Sequence, residues 1–118
     1  MIAHVVLFRP KPELALDARR ELVRLFSAAL REIGSIRRAR IGRRRTHGRP
    51  YEQLMHEDYT HAVILEFDDL PGLTSYLEHP AHEHLGARFF ASFEKALIYD
   101  FEMTTGLRAL DSLLQADA

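Results

Sequence analysis

Apolar and polar positions along the chain fall into strand-like and helix-like stretches separated by turn chemistry. Ile2 to Phe8 is β-branched and apolar with little alternation, the pattern of a strand covered on both faces. Pro10 and Pro12 end it, because proline has no N–H to give to a sheet ladder. Asp17 is placed to cap a helix on which Leu22, Leu25, Phe26, Ala29 and Ile33 recur at helical spacing, with Arg19, Arg20, Arg24 and Arg31 on the other side. Gly34 is a natural stop for it. Ile36 to Arg44, with Ala39 and Ile41 among arginines, predicts a strand near a sheet edge, and the polar stretch 45–58, with Gly48 and Pro50, a long loop. His61 to Phe67 (HAVILEF) is the plainest strand. Pro71 suits the first turn of a helix reaching about Leu77, Pro80 interrupts it, and a second helical stretch runs from about Ala81 to Ser92. Ala96 to Met103 is the fourth strand, and Leu107, Leu110, Leu113 and Leu114 predict a helical tail over Leu107 to Gln115.

The order β-α-β-β-α-β is the split arrangement of ferredoxin-like α+β folds, with an antiparallel four-stranded sheet and both helical layers on one face. Strands one, three and four are apolar on both sides, so the face without helices cannot sit in water. Two copies pairing sheet to sheet would cover it, giving a dimeric α/β barrel with helices outside and two pockets inside. The leucine stripe of the tail likewise needs a partner surface, on this chain or on the second copy.

Composition narrows the function classes. The chain has 118 residues, enough for one domain, and 47% of them are hydrophobic. Formal net charge is −1, so no global field draws the chain to nucleic acid or to a membrane. The absence of cysteine removes disulfides, thiolate catalysis and cysteine-type metal sites, and fits a reducing, cytoplasmic setting. The N-terminal apolar run is too short to span a bilayer and lacks a signal peptide's basic flank. Of the 16 basic residues only Lys11 and Lys95 are lysine, a bias typical of GC-rich bacterial genomes. Arg37, Arg38, Arg40, Arg43, Arg44, Arg45 and Arg49 form the densest charge run, which could receive an acidic substrate or guard a sheet edge against aggregation. Guarding is the simpler reading, since no aromatic residues interleave to stack bases.

HVVLF at His4–Phe8, DYTHAVILEFDDL at Asp58–Leu70, YLEHPAH at Tyr76–His82 and LIYDFE at Leu97–Glu102 together resemble the stress-responsive dimeric α/β-barrel (Dabb) family. The resemblance covers residues 1–103 as one domain and leaves 104–118 as a C-terminal helical extension outside the pattern. It implies a homodimer, or a higher oligomer, with a small-molecule pocket. Members include plant polyketide cyclases and heat-stable stress proteins. In the cyclases a histidine ending the HPAH element is the general base and acts with a tyrosine six residues earlier; the matching positions are His82 and Tyr76. The resemblance further implies that Asp100 on the last strand and His4 on the first line the same pocket, and that Arg37 stands near the pocket mouth; a carboxylate bonded to the second imidazole nitrogen would fix its tautomer, and Asp100 is expected to orient His82 in this way. Phe26 joins His4 and Arg37 as an expected substrate contact.

The chemistry is self-consistent. A neutral imidazole can take a proton next to a carbonyl, and a phenol can donate to the carbonyl oxygen as charge builds there. An intramolecular aldol closure needs no metal or cofactor, and none is expected. Each residue also has a plain structural role open to it: His82 could tie its helix to the last strand, Tyr76 could be a core aromatic, His4 a buried strand histidine, His61 an interface residue and His79 a helix-starting cap. His79, His82 and His84 do not share one helical face, and no H-E-x-x-H element occurs, so no metal site is assigned. A non-enzymatic stress-response oligomer or ligand carrier, and a haem-degrading or other small monooxygenase on the same barrel, remain as competing readings.

Overall fold

A computed structural model describes residues 1–115; positions 116–118 of the expected tail lie outside the described residues. The strands are β1 (Ile2–Pro10), β2 (Arg38–Arg43), β3 (His61–Phe67) and β4 (Phe93–Glu102), and the helices are α1 (Leu16–Glu32), α2 (Leu70–Glu78) and α3 (Pro80–Ser92). The sheet order is β2-β3-β1-β4, with every neighbouring pair antiparallel. This is the ferredoxin-like arrangement expected from the element order.

Register decides which side chains meet the helices. Val6 pairs with Val63 and Ile98, and His4 with Leu65 and Asp100. Side chains alternate along a strand, so Ile2, His4, Val6 and Phe8 share one face with Val63, Leu65 and Phe67. That face is the core: Phe67 and Leu65 are almost fully buried, against Ala29 from α1 and Ile33 that caps it, Leu73 and Tyr76 from α2, and Ala81 and Leu85 from α3. Burying a side chain of this size contributes about 2 kcal/mol. The other face carries Val5, Leu7, Ile64, Leu97, Tyr99 and Phe101, and no helix among the described residues covers it. Tyr99 is 56% exposed and Phe101 49%.

Some boundaries differ from expectation for local reasons. Asp17 is not the cap of α1: Ala15 holds the cap position, and Asp17 sits in the first turn, where a carboxylate meets the positive end of the helix. β4 begins at Phe93 rather than Ala96, because Phe93 is at once the cap that ends α3 and the first strand residue. Pro10 does not stop β1 but ends it inside the ladder, at an irregularity between Arg9 and Pro10. The tail coils as a 3-10 helix over Leu107–Leu114, and its leucines stay outside: Leu107 is 86% exposed and Leu114 85%.

The arginine-rich edge is laced with carboxylates. Arg40 bonds Glu66 at 3.1 Å across the β2–β3 pair, Arg37 bonds Asp68 at 2.8 Å, and Arg44 bonds Asp58 at 2.6 Å. No helix among the described residues is long and apolar enough to cross a membrane.

Candidate active site

The site begins at the break between α2 and α3. His79 ends one helix and starts the next: its backbone is extended, and its Nδ1 accepts from the Ala81 N–H at 3.0 Å. Pro80 follows in the first turn of α3, where its missing N–H has no partner to lose. This bend folds the end of α2 onto the start of α3. Tyr76 and His82, six positions apart, are thereby brought to 4.6 Å between ring centroids.

His82 Nδ1 lies 3.1 Å from the Leu77 carbonyl oxygen. A carbonyl only accepts, so Nδ1 carries the proton and the lone pair of the neutral ring is on Nε2. Burial lowers the pKa of His82 below the ordinary histidine value, against a smaller upward push from the Leu77 bond. The ring is therefore held neutral near pH 7, in a single tautomer. Tyr76 is 5% exposed, and burial pushes its hydroxyl up to about 12. It stays a phenol throughout the neutral range, able to donate but not to ionise.

Asp100 does not orient His82. Its Oδ1 accepts from His4 Nδ1–H at 2.6 Å. The cause is register: Asp100 sits directly opposite His4 on neighbouring strands, where side chains of one face are closest, whereas His82 belongs to the helical layer above. The bond fixes the His4 proton on Nδ1 and leaves Nε2 as its other polar atom. His4 is buried and packs edge-on against Tyr76, with ring centroids 5.6 Å apart. Tyr76 thus stands between two imidazoles, one oriented by a carboxylate and one by a backbone carbonyl.

These three rings line a cavity of about 160 Å³. Its remaining wall is apolar, with Val6, Val63 and Leu65 from the sheet, Phe26 from α1, and Leu85 and Phe89 from α3. The cavity lies between the covered face of the sheet and the helices of one chain. Of the residues singled out from the sequence, His82, Tyr76, His4 and Phe26 come together here. Asp100 reaches the site only through His4. Arg37 is not part of the wall, since its guanidinium is taken by Asp68 and by the Gly34 carbonyl in the turn between α1 and β2.

Sequence reasoning missed the contribution of α3 beyond His82. Leu85, Gly86, Phe89 and Phe90 all face the cavity, and their spacing after His82 is the signal that could have found them. Among the described residues no three histidine, aspartate or glutamate side chains converge as metal ligands do.

A sequence profile for the stress responsive A/B barrel domain matches residues 2–103. Olivetolic acid cyclase from Cannabis sativa is 38% identical over 45 residues, which are 38% of this chain and 45% of the cyclase; the match spans less than half the length of that curated relative. Among solved structures, a protein from Arabidopsis thaliana superposes with a TM-score of 0.73 at 23% identity, over 90% of this chain and 98% of that one. A hydroxynitrile lyase from Passiflora edulis reaches 0.73 at 15% identity, over 90% and 95% of the two chains. A dimeric ferredoxin-like protein from Thermobifida fusca reaches 0.65 at 22% identity, over 86% and 90%. The solved structures share the fold, and the profile accounts for all but the tail: the chain belongs to the stress responsive A/B barrel domain family.

Proposed function

We propose that the cavity binds a small, largely apolar carbonyl compound and that His82 moves a proton at the carbon beside the carbonyl. Nε2 of His82 takes the proton, the electron pair shifts onto the carbonyl oxygen, and Tyr76 donates its hydroxyl hydrogen bond to that oxygen. Return of the proton gives isomerisation or exchange; attack of the carbon on a second carbonyl of the same molecule gives ring closure. The observation that carries this reading is the bond from His82 Nδ1–H to the Leu77 carbonyl, which leaves a neutral base beside a phenol that burial keeps protonated.

Magnitudes favour such a role. A positioned base contributes roughly 10²–10⁴-fold, and a donor aimed at a developing oxyanion roughly 10²–10³-fold. A cavity near 160 Å³ suits a benzene-sized apolar group, since engineered apolar cavities of about 150 Å³ hold benzene. The match to a protein named as a cyclase and the shared fold with one named as a hydroxynitrile lyase support chemistry in this kind of pocket.

We further infer that two copies pair through the open sheet faces. Val5, Leu7, Ile64, Leu97, Tyr99 and Phe101 make that face apolar, and solved structures of the same fold are described as dimeric. The cavity then lies within each subunit, outside the paired faces.

The test is solvent exchange. Phenylacetone in deuterium oxide near neutral pH, followed by proton NMR, should lose its α-proton signals faster with the protein than in buffer. His82→Gln should return the rate to that of buffer, and Tyr76→Phe should slow it at least tenfold. Ketone binding with exchange at the buffer rate would leave a ligand carrier instead of an enzyme.

A further inference from the structure

Gly86 has no structural reason to be glycine. It stands in the interior of α3 (Pro80–Ser92), where glycine weakens a helix through the backbone freedom it keeps in the unfolded chain. Two ordinary causes would explain it, and neither holds. Its φ is not positive; Gly48 and Gly106 are the positive-φ glycines among the described residues. No other element crowds it either: a Cβ built at Gly86 meets no heavy atom within 4 Å beyond its own helix backbone and chain neighbours. Gly72 is the contrast, since a Cβ there would lie 3.3 Å from Asp69 Oδ1.

What Gly86 does face is the cavity. It lies four residues after His82 and four before Phe90, so the three follow one another along one side of the helix. His82 is half-buried and Phe90 is 70% exposed, so this line runs from the imidazole out toward solvent. Gly86 is the gap in the middle of it.

We propose that Gly86 is a specificity-determining residue: its missing side chain keeps a channel open along α3, through which an apolar substituent of the ligand extends from the His82 end toward Phe90. The ligand class is then an aryl or alkyl carbonyl compound bearing a chain, not the bare ring that the cavity volume alone would admit. This rests on reading the cavity as a carbonyl pocket, and it deepens that reading.

The test is a size series. Binding of acetophenone, 4-ethylacetophenone and 4-butylacetophenone is measured by calorimetry on the full chain, with Gly86→Ala and Gly86→Leu beside the wild type. Wild type should bind all three. Gly86→Ala should keep acetophenone within about twofold and weaken the butyl compound about tenfold, the loss expected when about one methylene's worth of pocket is filled. Gly86→Leu should weaken all three. Gly86→Ala should also raise the melting temperature, by about 4 °C, because the helix gains and nothing is displaced. Wild-type binding with both variants matching it across the series overturns the role of Gly86 alone. A lower melting temperature for Gly86→Ala overturns it too, since the Cβ would then be meeting packed atoms. A wild type that binds no member of the series overturns the pocket reading and this inference together.

Discussion

His82 is held neutral by burial and held in one tautomer by a carbonyl five residues earlier in the chain. Both facts have pH consequences. A base with a lowered pKa keeps its lone pair to more acid conditions, so α-proton exchange should persist below pH 6.5, the ordinary histidine value, and then fall with a single-proton slope. Stability moves the same way. The unfolded chain binds a proton at His82 near pH 6.5, while the folded chain binds it only at lower pH, so folding stability is lost as pH drops through this range. His61 adds to the loss, because burial, and then Arg43 and Arg19, lower its pKa as well. Urea unfolding at pH 7.5 and 5.5 should show this decline, and His82→Gln should make it shallower. Tyr76→Phe keeps the ring that packs on Phe67, so it should change stability by less than about 1 kcal/mol while slowing exchange. His82 and Tyr76 were legible through the family resemblance of the YLEHPAH element, and their contact is local: a proline-marked bend joins positions six apart. The tautomer was not, because it depends on where one carbonyl points.

The elements explain why Asp100 was misassigned. Its partner is set by the β1–β4 register, and a shift of one residue would move its side chain to the other face of the sheet. A sequence marks β1 and β4 as strands but not which residues oppose one another, whereas the helical stripe of α1 that includes Phe26 follows from spacing alone. The His4–Asp100 bond clasps β1 to β4. The Asp100 side chain is 41% exposed, so Asp100→Asn should cost only about 1 kcal/mol by thermal unfolding. It should leave the pH midpoint of exchange near its wild-type value, since Asp100 does not bond His82. A midpoint that moves by a full pH unit would mean that the carboxylate reaches the base after all. The tail shows the opposite limit of pattern reading. Its leucine spacing announced a helix, but a segment this short with no covering surface coils more tightly and keeps its leucines exposed.

For the whole molecule, the apolar second face of the sheet is the feature the sequence makes plainest, because strands with no polar alternation need cover on both sides. The sheet-to-sheet pairing proposed above would give that cover. Replacing Tyr99 and Phe101 together by aspartate should halve the mass seen by light scattering, and the resulting monomer should still bind ketones, because the cavity is walled by the helices and the covered face of the sheet, opposite the face that carries Tyr99 and Phe101. The pocket itself was less legible, since a cavity is what side chains from α1, α2, α3 and the sheet leave unfilled. The proposed chemistry requires a neutral His82, protonated on Nδ1, that meets the ligand through Nε2. Nitrogen-15 NMR of histidine-labelled protein, titrated through pH with and without phenylacetone, reads this directly. The expected result is an Nδ1–H tautomer, a pKa below 6.5, and a shift confined to Nε2 when the ketone binds. An Nε2–H tautomer, or a resonance that ignores the ketone, would contradict it.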